Sequence, residues 1–456
     1  MTAPFHEHPL RDSLILELHN RPAEPLEAPV QVTHLSTLLG ESDADACRAH
    51  VADLCRRAGS PAPLEGATHF IGDMGGYRLK FERHTEFCSI TLMRRADVPD
   101  PFAESALTLV PKDWVRAIPG EVFSAVHLAV MPHPEPGVVP SNDHEALSLR
   151  FFGGNRLVGA TVAGGIAEAY SDLRIQSDRF ARMVVRVRKE ASPSQIGRLV
   201  QRLQEIHSYR ALSLLALPIA REISPRLRFI DEALAALSGR IARNAGIGVQ
   251  SSTDPVALEQ ERNTDVSLLK DLTGLAAEVE ALSARSGYRF GASEAYYDLV
   301  QRRLADLREE KVLGIQTFSG FMERRLAPAM ATCRSVKTRI AGLSERTTRA
   351  GGLLRARVEV DLLDQNRTVL EAMNRRAKLQ LRLQEAVEGL SVVAISYYLI
   401  GLIAYCVKGL KGVGVPLDST IVTAIMVPVV FGTVWYGLRR AKKAMGLEDE
   451  HSHLDP

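Results

Sequence analysis

Two long uncharged segments constrain what this chain can fold into. Residues 389–407 and 419–438 contain no Asp, Glu, Lys, Arg or His. At 1.5 Å per residue, each would form a helix about 28–30 Å long, close to the thickness of the hydrocarbon core of a bilayer. Only residues 408–418, rich in glycine, lie between them. The pattern predicts a two-helix transmembrane hairpin over residues 389–438.

Basic residues surround the predicted hairpin unevenly. Eight basic residues flank the hairpin, four on each side, whereas the connecting loop holds only Lys408 and Lys411. The positive-inside rule therefore predicts two spans with the N- and C-termini both in the cytoplasm. Near the surface, each basic side chain can attract anionic lipid head groups by about 1 kcal/mol. The flanking basic residues are Arg375, Arg376, Lys378 and Arg382 before the hairpin, and Arg439, Arg440, Lys442 and Lys443 after it.

The net charge and the cysteines argue against some partners and ligands. The 456 residues carry a formal net charge of only +2, which does not favour nucleic acid as a partner. The five cysteines form no CxxC pair. We therefore expect reduced thiols and no metal site built from cysteines. No glycine loop typical of nucleotide binding occurs either, and we expect no bound cofactor.

Residues 1–190 read as a cytoplasmic α+β domain. Short β-branched runs alternate with Gly and Pro, and they predict strands joined by short turns in a mostly antiparallel sheet. A helix is expected over residues 42–57, with Ser42 as its N-cap. The strands are expected at 30–35, 67–71, 77–83, 86–93, 122–131, 157–162, 168–175 and 180–187, with a turn at 73–76.

Residues 194–388 read as a domain of long helices. The segments 195–217, 227–243, 257–285, 293–325 and 347–388 have helical composition, with breaks expected near Pro218, 246–255, 287–291 and Pro328. The last segment continues into the first span without a proline. It is either an ordinary bundle helix or a coiled-coil-like stalk that associates with copies of itself. Its apolar positions are Leu354, Val358, Leu362, Val369, Met373, Leu383, Val387 and Leu390. Residues 439–456 form a basic, then acidic, cytoplasmic tail.

Polar residues alternate along one predicted strand. Arg78, Lys80, Glu82, His84 and Glu86 would share one face, opposite Tyr77, Leu79 and Phe81. His84 and Glu86 could bind a metal or relay a proton, or the face could simply be solvated and carry cross-strand ion pairs. Glu17, His19 and Arg21 repeat the acid–histidine–base pattern, and whether they meet His84 stays open. Because no recognisable catalytic motif occurs, we expect no enzymatic activity.

A polar stripe also runs along the first predicted span. Ser391, Tyr398 and Tyr405 are spaced seven residues apart and therefore fall on one side of a helix. They would line a narrow polar path, bond to a neighbouring helix, or form an interfacial tyrosine belt. The absence of Asp, Glu, His, Lys and Arg within both spans argues against proton-coupled transport.

Seven short motifs carry a resemblance to a known family. They are residues 17–22, 83–87, 288–293, 323–328, 374–376, 379–384 and 387–391, with Asn20 where the family pattern has Ala. Through them the chain resembles the bacterial uncharacterised membrane-anchored proteins of domain-of-unknown-function family 3422. The resemblance covers nearly the whole chain and implies membrane anchoring, in a bacterial inner membrane, without implying a chemistry.

The leading interpretation is a non-enzymatic, membrane-anchored scaffold that forms homo-oligomers or recruits a protein partner at the inner membrane. The alternative is an ion channel, since the layout is similar to that of CorA-type channels. However, residues 405–411 do not contain the Gly-Met-Asn motif of those channels. An enzyme that uses the region of His19 and His84 is the third hypothesis.

Overall fold

The computed structural model describes residues 7–11, 14–15, 22–39, 45–134, 143–247, 255–412 and 419–444. The chain divides into two compact units. The first unit comprises residues 1–253 and 267–352, and the second comprises residues 254–266 and 353–456.

The described part of the first unit contains an eight-stranded sheet. Its strands are β1 (Val30–Leu38), β2 (His69–Asp73), β3 (Arg78–Arg83), β4 (Phe87–Arg95), β5 (Glu121–Pro132), β6 (Val158–Val162), β7 (Ala167–Ile175) and β8 (Ala181–Val187). They lie in the order β2-β3-β4-β1-β5-β8-β7-β6. β5 and β8 pair in parallel, and the other neighbours pair antiparallel. The predicted α+β class and mostly antiparallel sheet are confirmed.

Side-chain alternation divides this sheet into two faces. On one face, Leu79, Phe81 and Ile90 are fully buried in an apolar cluster that also contains Val51 and Trp114. That cluster lies beneath two short helices, α1 (Ala46–Arg57) and α2 (Lys112–Arg116). A third short helix, α3 (Asp143–Phe151), lies between β5 and β6 in sequence. Ser42, the expected N-cap of α1, lies outside the described residues.

Long helices follow the sheet in sequence. They are α4 (Pro193–Leu214), α5 (Ala216–Ile247), α6 (Pro255–Leu307) and α7 (Phe318–Gly412), followed by α8 (Ser419–Ala444). Ser192 caps α4 with a capping box completed by Gln195. Residues of α4, including Leu199 and Leu203, are buried in one cluster with Val32 of β1 and Val300 of α6. Thus α4 and the end of α6 cover the second face of the sheet.

Two predicted helix breaks are wrong. α6 runs through residues 287–291, and α7 runs through Pro328. The core explains both, since Phe290 is buried on α6 and Leu326 and Met330 are buried on α7. Tertiary packing offsets the cost of a glycine or proline inside a helix, which is about 1 and 3 kcal/mol respectively. The break instead falls between Leu307 and Phe318, which the sequence pattern did not indicate.

The second unit contains two helices that are long and apolar enough to cross a membrane, by length and composition. Only 17% of the apolar window in α7 and 6% of that in α8 is buried. The described protein therefore does not cover these windows as it would cover a core helix. Within this unit, Arg357 Nε of α7 lies 3.0 Å from Asp265 Oδ2 of α6.

Candidate functional site

The polar face of β3 is buried in the first unit. Lys80 and Glu82 are 5% and 8% exposed, although they carry charges. Lys80 Nζ lies 3.5 Å from Gln201 Oε1 of α4. The polar side chains therefore face a helix, and the interpretation as a solvated sheet face does not describe Lys80 and Glu82.

A polar cavity of about 230 Å³ lies between this face and α4. Its floor consists of buried side chains from β1, β3, β4 and α4, and its rim consists of partly exposed residues of α4 and α6 together with His84. Two aromatic residues, Phe87 and Tyr209, complete the lining. The floor residues are His34, Glu82, Ser89, Gln204 and Ser208, and the rim residues are His84, Gln201, Glu205 and Arg303.

His34 occupies the floor of the cavity as a neutral imidazole. Its Nδ1 lies 2.8 Å from Thr91 Oγ1, and its Nε2 lies 3.1 Å from Ser36 Oγ and 3.3 Å from Ser208 Oγ. Burial, together with the nearby charge of Lys80, lowers the pKa of His34 to about 3. At neutral pH this side chain therefore offers one N–H donor and one acceptor, without charge.

A second buried histidine, His207, lies on α4. Burial lowers the pKa of His207 well below its ordinary value, and the charge of Arg210 and the proximity of His34 act in the same direction. Arg210 Nη2 donates a hydrogen bond to His207 Nδ1 at 3.0 Å. That bond requires a neutral His207 whose Nδ1 carries no proton.

The charged groups of the cavity are paired with one another. Lys80 Nζ lies 2.9 Å from Glu82 Oε1. Across the rim, Arg303 of α6 donates to Glu205 of α4, and Gln201 Nε2 donates to the same carboxylate at 3.0 Å. Two carboxylates and two cations thus form closed charge pairs, in which one cation neutralises one carboxylate. This pairing reduces the free energy cost of burying the charges.

Two buried polar groups of the cavity are not paired. Ser89 Oγ and Gln204 Nε2 have no hydrogen-bond partner among the described protein atoms. Ser89 is 2% exposed and Gln204 is 8% exposed. A buried donor without a partner costs about 1–3 kcal/mol, so the site has hydrogen-bonding capacity that the described residues do not use.

Glu86 anchors a second cluster beside the cavity. Arg289 of α6 donates to both Glu86 oxygens, at 2.9 and 3.3 Å, and Tyr288 Oη donates to Oε2 at 3.3 Å. Burial and the nearby Glu86 carboxylate raise the pKa of Tyr296. His84 stacks on Phe87 with 4.0 Å between ring centroids. This arrangement ties the β3–β4 turn to α6.

The structure therefore brings together part of the predicted polar site. Glu82 and His84 line the cavity, Glu86 pairs with Arg289, and Arg78 forms an ion pair with Glu24. Glu17, His19 and Arg21 lie outside the described residues. No group of three or more His, Cys, Asp or Glu side chains that could hold a metal occurs within the described ranges.

Sequence reasoning missed several cavity residues. His34 follows the alternation of β1, which places it with Ser36 on the α4 side, so a strand pattern could have indicated it. Gln201, Gln204, Glu205 and Ser208 recur at helical spacing on α4, and this spacing predicts one shared face. Arg303 carried no comparable signal, because its proximity depends on how α6 packs.

A second candidate surface lies on α7, within the second unit. Leu354 is buried, but further along the same predicted stripe Leu362, Val369 and Met373 are 46%, 53% and 61% exposed. Tyr398 and Tyr405 of the span are also exposed, while Ser391 Oγ donates to the Val387 carbonyl of its own helix at 2.9 Å. The basic residues Arg375, Arg376, Lys378, Arg382, Arg439 and Arg440 are exposed as well. Lys442 and Lys443 lie on α8, and their side chains are not among those described.

A known family matches the chain over most of its length. The family model described as "Protein of unknown function (DUF3422)" matches residues 6–445. No curated protein matches the chain. The family match covers both compact units and the motifs at 83–87 and 288–293, which the pair of Glu86 and Arg289 joins. The chain belongs to the DUF3422 family of proteins of unknown function.

Proposed function

We propose that this protein is a non-enzymatic, membrane-anchored scaffold that associates with copies of itself through α7 next to the bilayer. In this proposal α7 and α8 form the two spans of a bacterial inner-membrane protein, and both termini lie in the cytoplasm. The occupant of the exposed stripe on α7 is the same stripe of a second copy.

The exposed apolar stripe of α7 is the observation that carries the proposal. At 100° per residue, Leu362, Val369 and Met373 fall within about 40° of one another. Leu383, Val387 and Leu390 continue the stripe towards the apolar window and are more than half exposed. A row of exposed apolar side chains of this kind supports burial against a partner.

The continuity of α7 favours a second copy as the occupant. The helix runs without a break from the stripe into the apolar window. Two copies anchored in one membrane would present identical stripes at the same height, and a symmetric interface could then bury both at once. Exposed Tyr398 and Tyr405 would approach their counterparts in the same assembly, where interhelical hydrogen bonds contribute about 0.6 kcal/mol each.

Charges next to the apolar windows support the membrane assignment. Arg439 lies over the ring of Trp435 at 5.2 Å, a pairing of cation and aromatic ring that suits a membrane interface. The exposed residues Arg375, Arg376 and Arg382 precede the first window. Together these residues would contact anionic lipid head groups.

Light scattering of the full-length protein in mild detergents tests the proposal. The wild type is expected to run as an oligomer at micromolar concentration, and V369E/M373E is expected to run as a monomer. A matched control is V360E/N374E, which adds the same charge away from the stripe, since Val360 lies about 180° from Val369 and Asn374 about 100° from Met373. The control should remain oligomeric. A monomeric wild type, or equal dissociation by both double variants, would refute assembly through the stripe.

A further inference from the structure

We propose that the cavity between the sheet and α4 binds an uncharged, hydroxyl-rich small molecule, a polyol or a monosaccharide. This inference concerns the first unit only and does not depend on assembly through α7. It rests on the unpaired polar groups of the floor, on the closed charge pairs and on the aromatic lining.

The floor offers hydrogen bonds that no group in the described part of the chain takes up. Gln204 Nε2 can donate, and Ser89 Oγ can donate or accept. Both line the cavity and both are more than nine-tenths buried. A ligand hydroxyl can accept from an amide and donate to a serine at the same time. Hydroxyl groups therefore fit the unused capacity of this floor.

The closed charge pairs select against an ionic ligand. Glu82 is paired with Lys80, and Glu205 is paired with Arg303. His34 adds no charge, because its pKa is lowered to about 3. An ion entering the cavity would lose its hydration without gaining a free counter-charge, and such a transfer is unfavourable. A neutral ligand avoids this penalty.

Size and aromatic contacts narrow the ligand further. The volume of about 230 Å³ is below the range of roughly 300–1,000 Å³ that is typical of pockets for drug-sized ligands. Phe87 and Tyr209 lie on the lining, with 6.5 Å between their ring centroids. Apolar lining next to buried amide and carboxylate groups suits a ligand that carries both C–H groups and hydroxyls.

Direct binding measurements on the full-length protein test the assignment. The probes are glycerol, myo-inositol and D-glucose, with D-gluconate and D-glucosamine as anionic and cationic analogues of glucose. At least one neutral probe should bind by isothermal titration calorimetry with a Kd of about 1 mM or tighter. The two charged analogues should bind at least tenfold more weakly than glucose. Calorimetry distinguishes binding from the general stabilisation that polyols give to proteins, which a thermal shift does not.

Variants of the floor link binding to the two unpaired groups. S89A/Q204L should lose at least tenfold in affinity for the neutral probe, while its Tm without ligand rises by about 2–4 °C, since two unsatisfied groups are removed. S89A alone gives the same test if the double variant does not fold. S213A is the matched control, because Ser213 is buried on α4 and donates to the Arg210 carbonyl outside the cavity.

Three results would overturn the assignment. The first is no binding of any neutral probe, which would leave a cavity that holds only water. The second is equal or tighter binding of gluconate or glucosamine. The third is wild-type affinity in S89A/Q204L, which would place the binding site elsewhere. None of these results bears on the oligomeric state, so the two proposals fail independently.

Discussion

Arg289 donates hydrogen bonds from both terminal nitrogens of its guanidinium to the two carboxylate oxygens of Glu86, which lies 203 residues earlier in the sequence. Their side chains are 21% and 10% exposed, so the ion pair is largely shielded from water. Glu86 belongs to the turn between β3 and β4, and Arg289 belongs to α6. The pair therefore fixes the edge of the cavity against the helix that supplies Arg303.

A double-mutant cycle measures this interaction. We expect E86Q and R289Q to show a coupling energy of about 1–3 kcal/mol in denaturant unfolding, because removing either partner leaves a shielded charge alone. The comparison pair is Glu222 and Arg285, whose side chains are 57% and 60% exposed and 2.7 Å apart. That pair should show a smaller coupling energy. Equal coupling in both cycles would contradict a special role for Glu86.

His34 predicts how stability depends on pH. The unfolded chain binds a proton at His34 near pH 6.5, whereas the folded chain binds it only near pH 3. Stability is therefore retained above pH 6.5 and falls as the pH drops towards 3, by about 1.4 kcal/mol per pH unit for this group. His207 acts in the same direction. H34Q should flatten the decline measured by unfolding at pH 7, 6 and 5.

Reporter fusions test the orientation in the membrane. The excess of basic residues on both sides of the hairpin predicts that a reporter fused after Pro456 is active only if it works in the cytoplasm. A second reporter, inserted between Lys411 and Asp418, should report the opposite compartment. Periplasmic activity of the C-terminal fusion would reverse the orientation and remove the proposed contact with cytoplasmic lipid head groups.

The alternation of polar and apolar residues predicted both faces of β3 but not what covers them. A strand pattern assigns Lys80 and Glu82 to one side, as the structure has it. Whether water or a helix lies above that side depends on contacts between Lys80 and Gln201, which are 121 residues apart. The sequence does not show which residues far apart in the chain come into contact, and for this reason the cavity was not predicted.

Helix continuity was the least predictable part of the fold. Gly287, Gly291 and Pro328 favour helix ends locally, yet α6 and α7 pass through all three. The deciding factor is burial of Phe290, Leu326 and Met330, which only the packed helices reveal. By contrast, the apolar windows of α7 and α8 depend on composition alone, and their prediction agrees with the structure.

Cross-linking in native membranes tests the central claim, assembly through the stripe of α7, most directly. In a C406S background, which removes the exposed cysteine of the span, M373C should form a disulfide-linked dimer on mild oxidation. N374C, which lies one residue further and about 100° around the helix, should form much less. The account predicts a dimer band for M373C that disappears on reduction and on addition of the V369E substitution. Equal cross-linking of M373C and N374C, or no cross-linking of M373C, would contradict it.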